Sequence, residues 1–145
     1  MSKGVLVIAR NNNNIDYVKQ AVFLAKRVKK YLNLPTSIIT DNVAYLEKAF
    51  DKDIFDQIIK VDYEHKSNSR NFYDGGLASK TDTFKNSSRS SAYDLTPYDE
   101  TLLLDSDFVI NNDLFLNCFD SDQDLLLYKK SYELSGTRKD RQSVV

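Results

Sequence analysis

The sequence predicts an α/β fold, with a mostly parallel β-sheet flanked by helices. Three observations predict it. Residues 4–9 form an apolar, β-branched run, which is typical of a strand buried on both faces. Residues 15–32 repeat apolar side chains with the period of an amphipathic helix. Short strand and helix patterns then alternate as far as residue 61, and such alternation is typical of parallel strands joined by right-handed crossovers.

The elements of the first half follow in order. We expect the first helix to begin after Asn14 as its N-cap, and its lysines near the end complement the helix dipole. After Pro35, residues 36–40 predict a short strand. Asp41 and Asn42 would cap a helix over residues 43–50, and residues 57–61 predict the third strand.

The second half is less regular. Residues 62–80, which include two adjacent glycines and several serines, predict a long loop, and a short helix is expected from about Lys80 to Tyr93. An apolar strand at residues 101–104 precedes Asp105-Ser106-Asp107. Further on, the pattern predicts a strand at 108–110, a helical turn at 114–119 capped by Asn112 or Asp113, and a strand at 125–128. We expect one domain over residues 1–134 and a flexible tail over 135–145.

The charge of the chain is balanced overall but not locally. The formal net charge is -1, which argues against a nucleic-acid partner and against a polybasic membrane-surface protein. Residues 94–124, however, contain nine carboxylates and no Lys or Arg. This acidic run would attract a cation.

The scarce residue types exclude several classes of site. One cysteine, Cys118, cannot form an internal disulfide, and one histidine, His65, cannot build a His-rich zinc site, so oxygen-ligand metals are favoured. With four glycines, the chain lacks both common glycine-rich nucleotide fingerprints. No apolar run is long enough to span a membrane, and we expect a cytoplasmic protein in a reducing compartment.

Asp105 and Asp107 are the residues most suggestive of chemistry. Two carboxylates at positions i and i+2, placed where a buried strand ends, can converge on one divalent cation if the chain bends there. Mn²⁺ or Mg²⁺ would use one or two carboxylates and keep water and phosphate oxygens as its other ligands. The alternative is that the two aspartates only cap a turn. The apolar runs on both sides favour the metal, because ligands bind at the carboxyl ends of parallel strands.

The motif has two other interpretations, a calcium loop and a phosphatase motif. A calcium loop of the EF-hand kind fails, because Ile110 stands where glycine is required and Leu116 where the closing Glu should be. The apolar strand followed by Asp-x-Asp-x-Val also resembles the haloacid-dehalogenase phosphatases. In that family the motif follows the first strand, whereas here about a hundred residues precede it.

The order of elements, ending in Pro97-Tyr98-Asp99-Glu100 and the Asp-x-Asp motif, resembles the nucleotide-diphospho-sugar transferases of the glycosyltransferase A fold. The resemblance spans roughly residues 4–128 and is closest to members related to glycogenin and the lipopolysaccharide galactosyltransferases. It implies a Rossmann-like, nucleotide-binding half. It also implies that Asp105 and Asp107 bind Mn²⁺ or Mg²⁺ on the diphosphate of a nucleotide sugar, with a UDP-sugar favoured as donor.

The resemblance extends to further residues. It implies that Ala9 and Arg10 meet the nucleoside and that Asp41 lies near the base or ribose. Lys85 and Arg89 would contact the phosphates or the donor sugar, and Ser106 belongs to the same nucleotide-sugar-binding set. For Asp41 the alternative is helix capping, and for Arg10 and Lys85 it is an ordinary surface charge.

The chain departs from this family in two respects. Family members usually continue for another hundred residues or more and often add a metal-binding histidine, but here no histidine follows His65. The sequence therefore predicts a metal-dependent glycosyltransferase or its donor-binding half, with an unknown acceptor. The alternatives are a non-catalytic, nucleotide-binding remnant of such a fold and a dehalogenase-type phosphatase.

Overall fold

The computed structural model describes residues 1–62, 68–73, 79–84 and 91–127. The main sheet has four parallel strands in the order β3-β2-β1-β6, which confirms an α/β fold with a parallel sheet. Its strands are β1 (Lys3–Ile8), β2 (Thr36–Thr40), β3 (Gln57–Lys60) and β6 (Glu100–Asp105). The predicted tail over 135–145 lies outside the described residues.

Three α-helices cover the two faces of this sheet: α1 (Tyr17–Tyr31), α2 (Val43–Ala49) and α3 (Ala92–Leu95). Both α1 and α2 contribute to one apolar cluster, and α3 contributes to the other. This arrangement follows from the strand order. Strands β2 and β3 are added on one side of β1, and β6 is added on the other side. Because the crossover connections are right-handed, α1 and α2 lie on one face of the sheet and α3 lies on the opposite face.

The central strands β1 and β2 are buried along nearly their whole length because both faces of the sheet are covered. Val5 and Val7 pack in the cluster with α1, whereas Leu6 lies between them in sequence and packs in the cluster with α3. All three side chains are fully buried. Burying one such side chain stabilises the fold by roughly 1.5–3 kcal/mol, so the alternation of faces along β1 is a strong determinant of the fold.

Helix α1 begins later than its sequence predicts. The N-cap is Asp16, not Asn14, because the Asp16 carboxylate accepts a hydrogen bond from the backbone N–H of Lys19 at 2.9 Å. The backbone N–H of Asn14 instead donates to Asn12 Oδ1 in the preceding loop. The helix ends at Tyr31 with Leu32 as its C-cap, and the next residue, Asn33, adopts the left-handed conformation that commonly terminates helices (φ 51°).

The region between β3 and β6 differs from the prediction. Strands β4 (Asn68–Tyr73) and β5 (Ser79–Phe84) pair as an antiparallel two-stranded sheet inside the predicted loop and at the start of the predicted Lys80–Tyr93 helix. The expectation of a helix from residue 80 is therefore wrong, and the only helix described there is the single turn of α3. Neither strand alternates apolar and polar residues regularly, so the periodicity carried no strand signal, although paired glycines between two short runs are typical of hairpins.

Two predicted strands after the Asp-x-Asp motif are also absent from the described residues. Residues 108–110 form no ladder, because Phe108 closes a turn and Ile110 packs in the core beside α1. Leu125–Leu127 are exposed and unpaired in the sheet, and Tyr128 lies outside the described part of the chain. The predicted turn at 114–119 is confirmed as a 3-10 helix, Leu114–Asp120, and the Asn112 side chain accepts from the Leu114 N–H.

The amino edge of the sheet is tied together by side chains of the segment that precedes β6. The Tyr98 ring lies over Gly4 of β1, and its hydroxyl is 2.6 Å from the hydroxyl of Ser37 in β2. Asp99 accepts hydrogen bonds from the backbone N–H and the hydroxyl of Ser2. These contacts hold the amino edge, which lies opposite the carboxyl ends of the strands. No helix within the described residues is long and apolar enough to cross a membrane.

Candidate functional site

The carboxyl edge of the sheet brings together residues that are far apart in sequence. In the strand register Ile8 of β1 lies opposite Ile39 of β2 on one side and opposite Asp105 of β6 on the other. The residues that follow these positions, Arg10, Asp41 and Asp107, therefore leave the sheet at the same edge. The strand order reverses at β1, because β2 and β3 lie on one side of it and β6 lies on the other. In open α/β sheets the crevice at such a reversal is where ligands bind.

The Asp-x-Asp motif forms a tight turn at the end of β6. The backbone N–H of Phe108 donates to the carbonyl oxygen of Asp105 at 3.0 Å, so the chain bends at Ser106 and Asp107, as a shared cation would require. Asp105 and Asp107 are both exposed, whereas Ser106 between them is buried. The motif thus presents two carboxylates to solvent from a short, hydrogen-bonded loop.

A cleft of about 190 Å³ lies beside this turn, between the ends of β1 and β6. Its walls consist of Ile8, Leu103, Leu104, Asp105 and Phe108, and they offer both apolar and polar surface. Leu103 and Phe108 remain 47% and 40% exposed, so apolar surface is open to a ligand here. Small-molecule sites usually combine apolar side chains with a few polar groups in this way, although this cleft is smaller than most of them.

The donor set at the turn fits one kind of metal better than others. Among the described residues, no group of three or more His, Cys, Asp or Glu side chains is close enough to hold an ion. A closed structural site of the zinc kind is therefore not formed by these residues. Two exposed carboxylates suit Mg²⁺ or Mn²⁺, which take part of their coordination shell from water and substrate phosphates.

Arg10 and Asp41 meet at the neighbouring strand ends. Arg10 Nε lies 3.1 Å from Asp41 Oδ2, and the Arg10 side chain is only 4% exposed. Arg10 is therefore a buried, paired cation and not an ordinary surface charge. The Asp41 side chain keeps 21% of its surface exposed and also accepts a hydrogen bond from Asn42 Nδ2. Asn42, not Asp41, occupies the N-cap position of α2, and it makes no capping hydrogen bond with its side chain.

Ala9 and Ser106 are in place but turned inward. Ala9 is fully buried, and its backbone N–H donates to the Ile39 carbonyl oxygen at 3.0 Å. The Ser106 hydroxyl donates to Gln20 Oε1 of α1 at 3.1 Å. Neither the Ala9 methyl group nor the Ser106 hydroxyl therefore faces the cleft. Lys85 and Arg89 lie outside the described residues, so their predicted phosphate contacts have no counterpart in the structure.

The N-terminus of α1 also opens at this edge, but its N–H groups are already bonded. Val18 N–H donates to Asn11 Oδ1 at 2.9 Å, and Lys19 N–H donates to the Asp16 carboxylate. Asp16 further accepts from Asn11 Nδ2 and from the Tyr45 hydroxyl of α2. Burial opposes ionisation of Asp16, but these hydrogen bonds outweigh it and lower its pKa. An anion cannot use these two helix donors without displacing the caps.

The sequence placed Asn11 at the end of the first strand and Asp16 in the first helical turn, but it predicted neither their hydrogen bonds nor any role for Gln20 and Tyr45 at this edge. Asp16 carried a signal, since an acidic residue before an apolar period is a common helix start. Gln20 and Tyr45 carried none, because their partners are distant in sequence.

No protein family, curated protein or solved structure matches this chain. The function is therefore argued from the site, since a fold of this class hosts many unrelated activities.

Proposed function

We propose that this chain binds a nucleotide-diphosphate sugar through Mn²⁺ or Mg²⁺ held by Asp105 and Asp107, as the donor-binding part of a glycosyltransferase. One observation carries the proposal. The two exposed aspartates belong to a tight turn at the end of β6, beside a small cleft and at the point where the strand order reverses.

The charges around the site favour a cation and a polyanion together. Two adjacent carboxylates would repel a diphosphate, so a phosphate ligand at this turn requires a cation between them. When bound, Mn²⁺ or Mg²⁺ would neutralise the diphosphate leaving group as a Lewis acid. Because the α1 N–H groups of Val18 and Lys19 are occupied, the phosphates belong at the β6 end of the edge, within reach of the metal.

The neighbouring strand ends suit the nucleoside. Asp41 holds a carboxylate that is partly exposed at the end of β2, where it could accept hydrogen bonds from ribose hydroxyls or from a base. Arg10 orients that carboxylate by its ion pair and would not itself need to reach the ligand. In this proposal Lys85 and Arg89 contribute positive charge toward the phosphates or the sugar. We favour a UDP-sugar as donor, and the acceptor is unassigned.

Metal-dependent nucleotide binding is the direct test. Calorimetry with UDP should give binding that depends on Mn²⁺, and Asp107→Ala should abolish it while the far-UV circular dichroism stays unchanged. Asp122→Ala is the matched control, because Asp122 is an exposed carboxylate of the same acidic run whose described hydrogen bond, from Gln123, is local. GDP is the control for the identity of the nucleotide base. If UDP binds neither with Mn²⁺ nor with Mg²⁺, the proposal is wrong.

Activity assays separate the alternatives. Sugar transfer or donor hydrolysis by the purified chain would exclude a non-catalytic remnant, whereas metal-dependent UDP binding without turnover would favour it. A dehalogenase-type phosphatase would instead release phosphate from an aryl phosphate and lose that activity in Asp105→Asn. The three outcomes are distinct, so one set of variants decides among them.

A further inference from the structure

The turn between Asp105 and Asp107 is attached to helix α1 through Ser106. Strand alternation directs Leu104 toward the α1 cluster and places Asp105 with Leu103 at the cleft. Ser106 turns back toward α1 and is only 7% exposed, and its hydroxyl donates to Gln20 Oε1 at 3.1 Å. The residue between the two carboxylates is therefore held by α1.

A second attachment from the same helix holds the far end of the motif segment. Arg27 Nε donates to the Ile110 carbonyl oxygen at 2.5 Å, and Arg27 Nη2 donates to Asn111 Oδ1. Ile110 is only 1% exposed and packs in the α1 cluster. The Arg27 guanidinium is itself packed against the Tyr31 ring, 4.8 Å from its centroid. The segment leaving the motif is thus anchored by a hydrogen bond and by a buried side chain.

The two attachments come from one face of α1. Gln20 and Arg27 are seven residues apart, which is about two helical turns, so their side chains point in nearly the same direction. Between the two anchors, Asp107, Phe108 and Val109 are exposed. A loop that is held at both ends loses less conformational freedom when its side chains coordinate an ion.

From this geometry we propose that Gln20 is a positioning residue for the metal site: through Ser106 it holds the Asp105–Asp107 turn in the conformation that binds a divalent cation. The proposal rests on the proposed function, because it concerns the same cation. It assigns the Ser106 hydroxyl to Gln20 and not to the nucleotide sugar. Partners that orient metal ligands without touching the metal commonly change affinity by tenfold or more when they are removed.

The test measures Mn²⁺ affinity by electron paramagnetic resonance of free Mn²⁺, using the 145-residue chain with saturating UDP. Ser106→Thr and Ser106→Val have the same shape and differ only in the hydroxyl, so both add the same bulk to the turn. We expect Ser106→Val to bind Mn²⁺ about tenfold more weakly than Ser106→Thr. Gln20→Met should weaken Mn²⁺ binding to a similar extent in the native chain. It should add no further loss in the Ser106→Val background, because both substitutions remove the same Ser106–Gln20 hydrogen bond.

Two further measurements distinguish positioning from general stability. Lys26→Met, an exposed change on the same helix, should leave Mn²⁺ affinity unchanged. The thermal midpoints of Ser106→Thr and Ser106→Val without metal should be similar, so that their difference in affinity is not a difference in folding. If Gln20→Met does not fold, the comparison of Ser106→Thr with Ser106→Val alone tests whether the hydrogen bond positions the turn. Equal Mn²⁺ affinity in that pair would overturn the role of Gln20 while leaving the proposed function intact. Absence of Mn²⁺ binding in the native chain would instead refute both.

Discussion

Gly4→Ala tests how tightly the amino edge of the sheet is packed. A Cβ atom at Gly4 would lie 2.4 Å from Tyr98 Cε2 and 2.5 Å from its Cδ2 and Cζ atoms, far inside van der Waals contact. The β1 backbone is held on both sides by β2 and β6, so the ring must move. Tyr98 is only half-buried and can swing toward solvent, but its hydroxyl then leaves Ser37.

The expected loss of stability has two contributions. Ser37 is fully buried, and leaving its hydroxyl without a partner costs about 1–3 kcal/mol. Displacing a packed ring adds about 1 kcal/mol or more. A total of about 2–4 kcal/mol is a large fraction of the roughly 5–15 kcal/mol that stabilises a typical domain. For a chain of this length it should lower the thermal midpoint by on the order of 10 °C.

Urea denaturation of a mutant cycle is the appropriate assay. Gly4→Ala should cost the full amount in the native background and under about 1 kcal/mol in the Tyr98→Ala background, where the ring is absent. Metal-dependent UDP binding at the opposite edge should persist in every variant that folds. If Gly4→Ala costs the same in both backgrounds, the contact with Tyr98 is not what requires glycine at this position.

Two further predictions concern the charged groups of the carboxyl edge. Asp16 has a lowered pKa, so its hydrogen-bonded carboxylate stabilises the fold above the pKa of the unfolded chain, about 4, and this contribution is lost as the pH falls through the folded pKa. Between pH 5 and 3, Asp16→Asn should therefore lose less unfolding free energy than the native chain, and parallel pH profiles would contradict this. Asp41→Leu removes the ion pair of buried Arg10 and should cost about 2 kcal/mol or more, whereas Arg10→Met with Asp41→Leu should recover part of that loss, as measured in urea. No recovery in the double variant would show that the cost does not come from separating Arg10 from Asp41.

The site explains why so few of its residues were visible in the sequence. Asp105 and Asp107 could be predicted because both the carboxylates and the strand that positions them are local. The Arg10–Asp41 pair joins residues 31 positions apart, and the Ser106–Gln20 bond joins residues 86 positions apart. Such pairs depend on which strands become neighbours, and no periodicity encodes that. For the same reason the sequence alone does not distinguish the buried Arg10 from an ordinary surface charge.

The sequence by itself determined the local elements whose signals repeat over several residues. The buried run of β1, the amphipathic period of α1 and the apolar β6 strand before Asp105 predicted the α/β class correctly, because helix and strand periods depend on neighbouring residues. Only the tertiary structure decided that β6 pairs with β1, that β4 and β5 pair with each other, and that residues 108–110 form no strand. Strand pairing joins backbone groups that are distant along the chain, so burial and hydrogen bonding across the whole sheet select it.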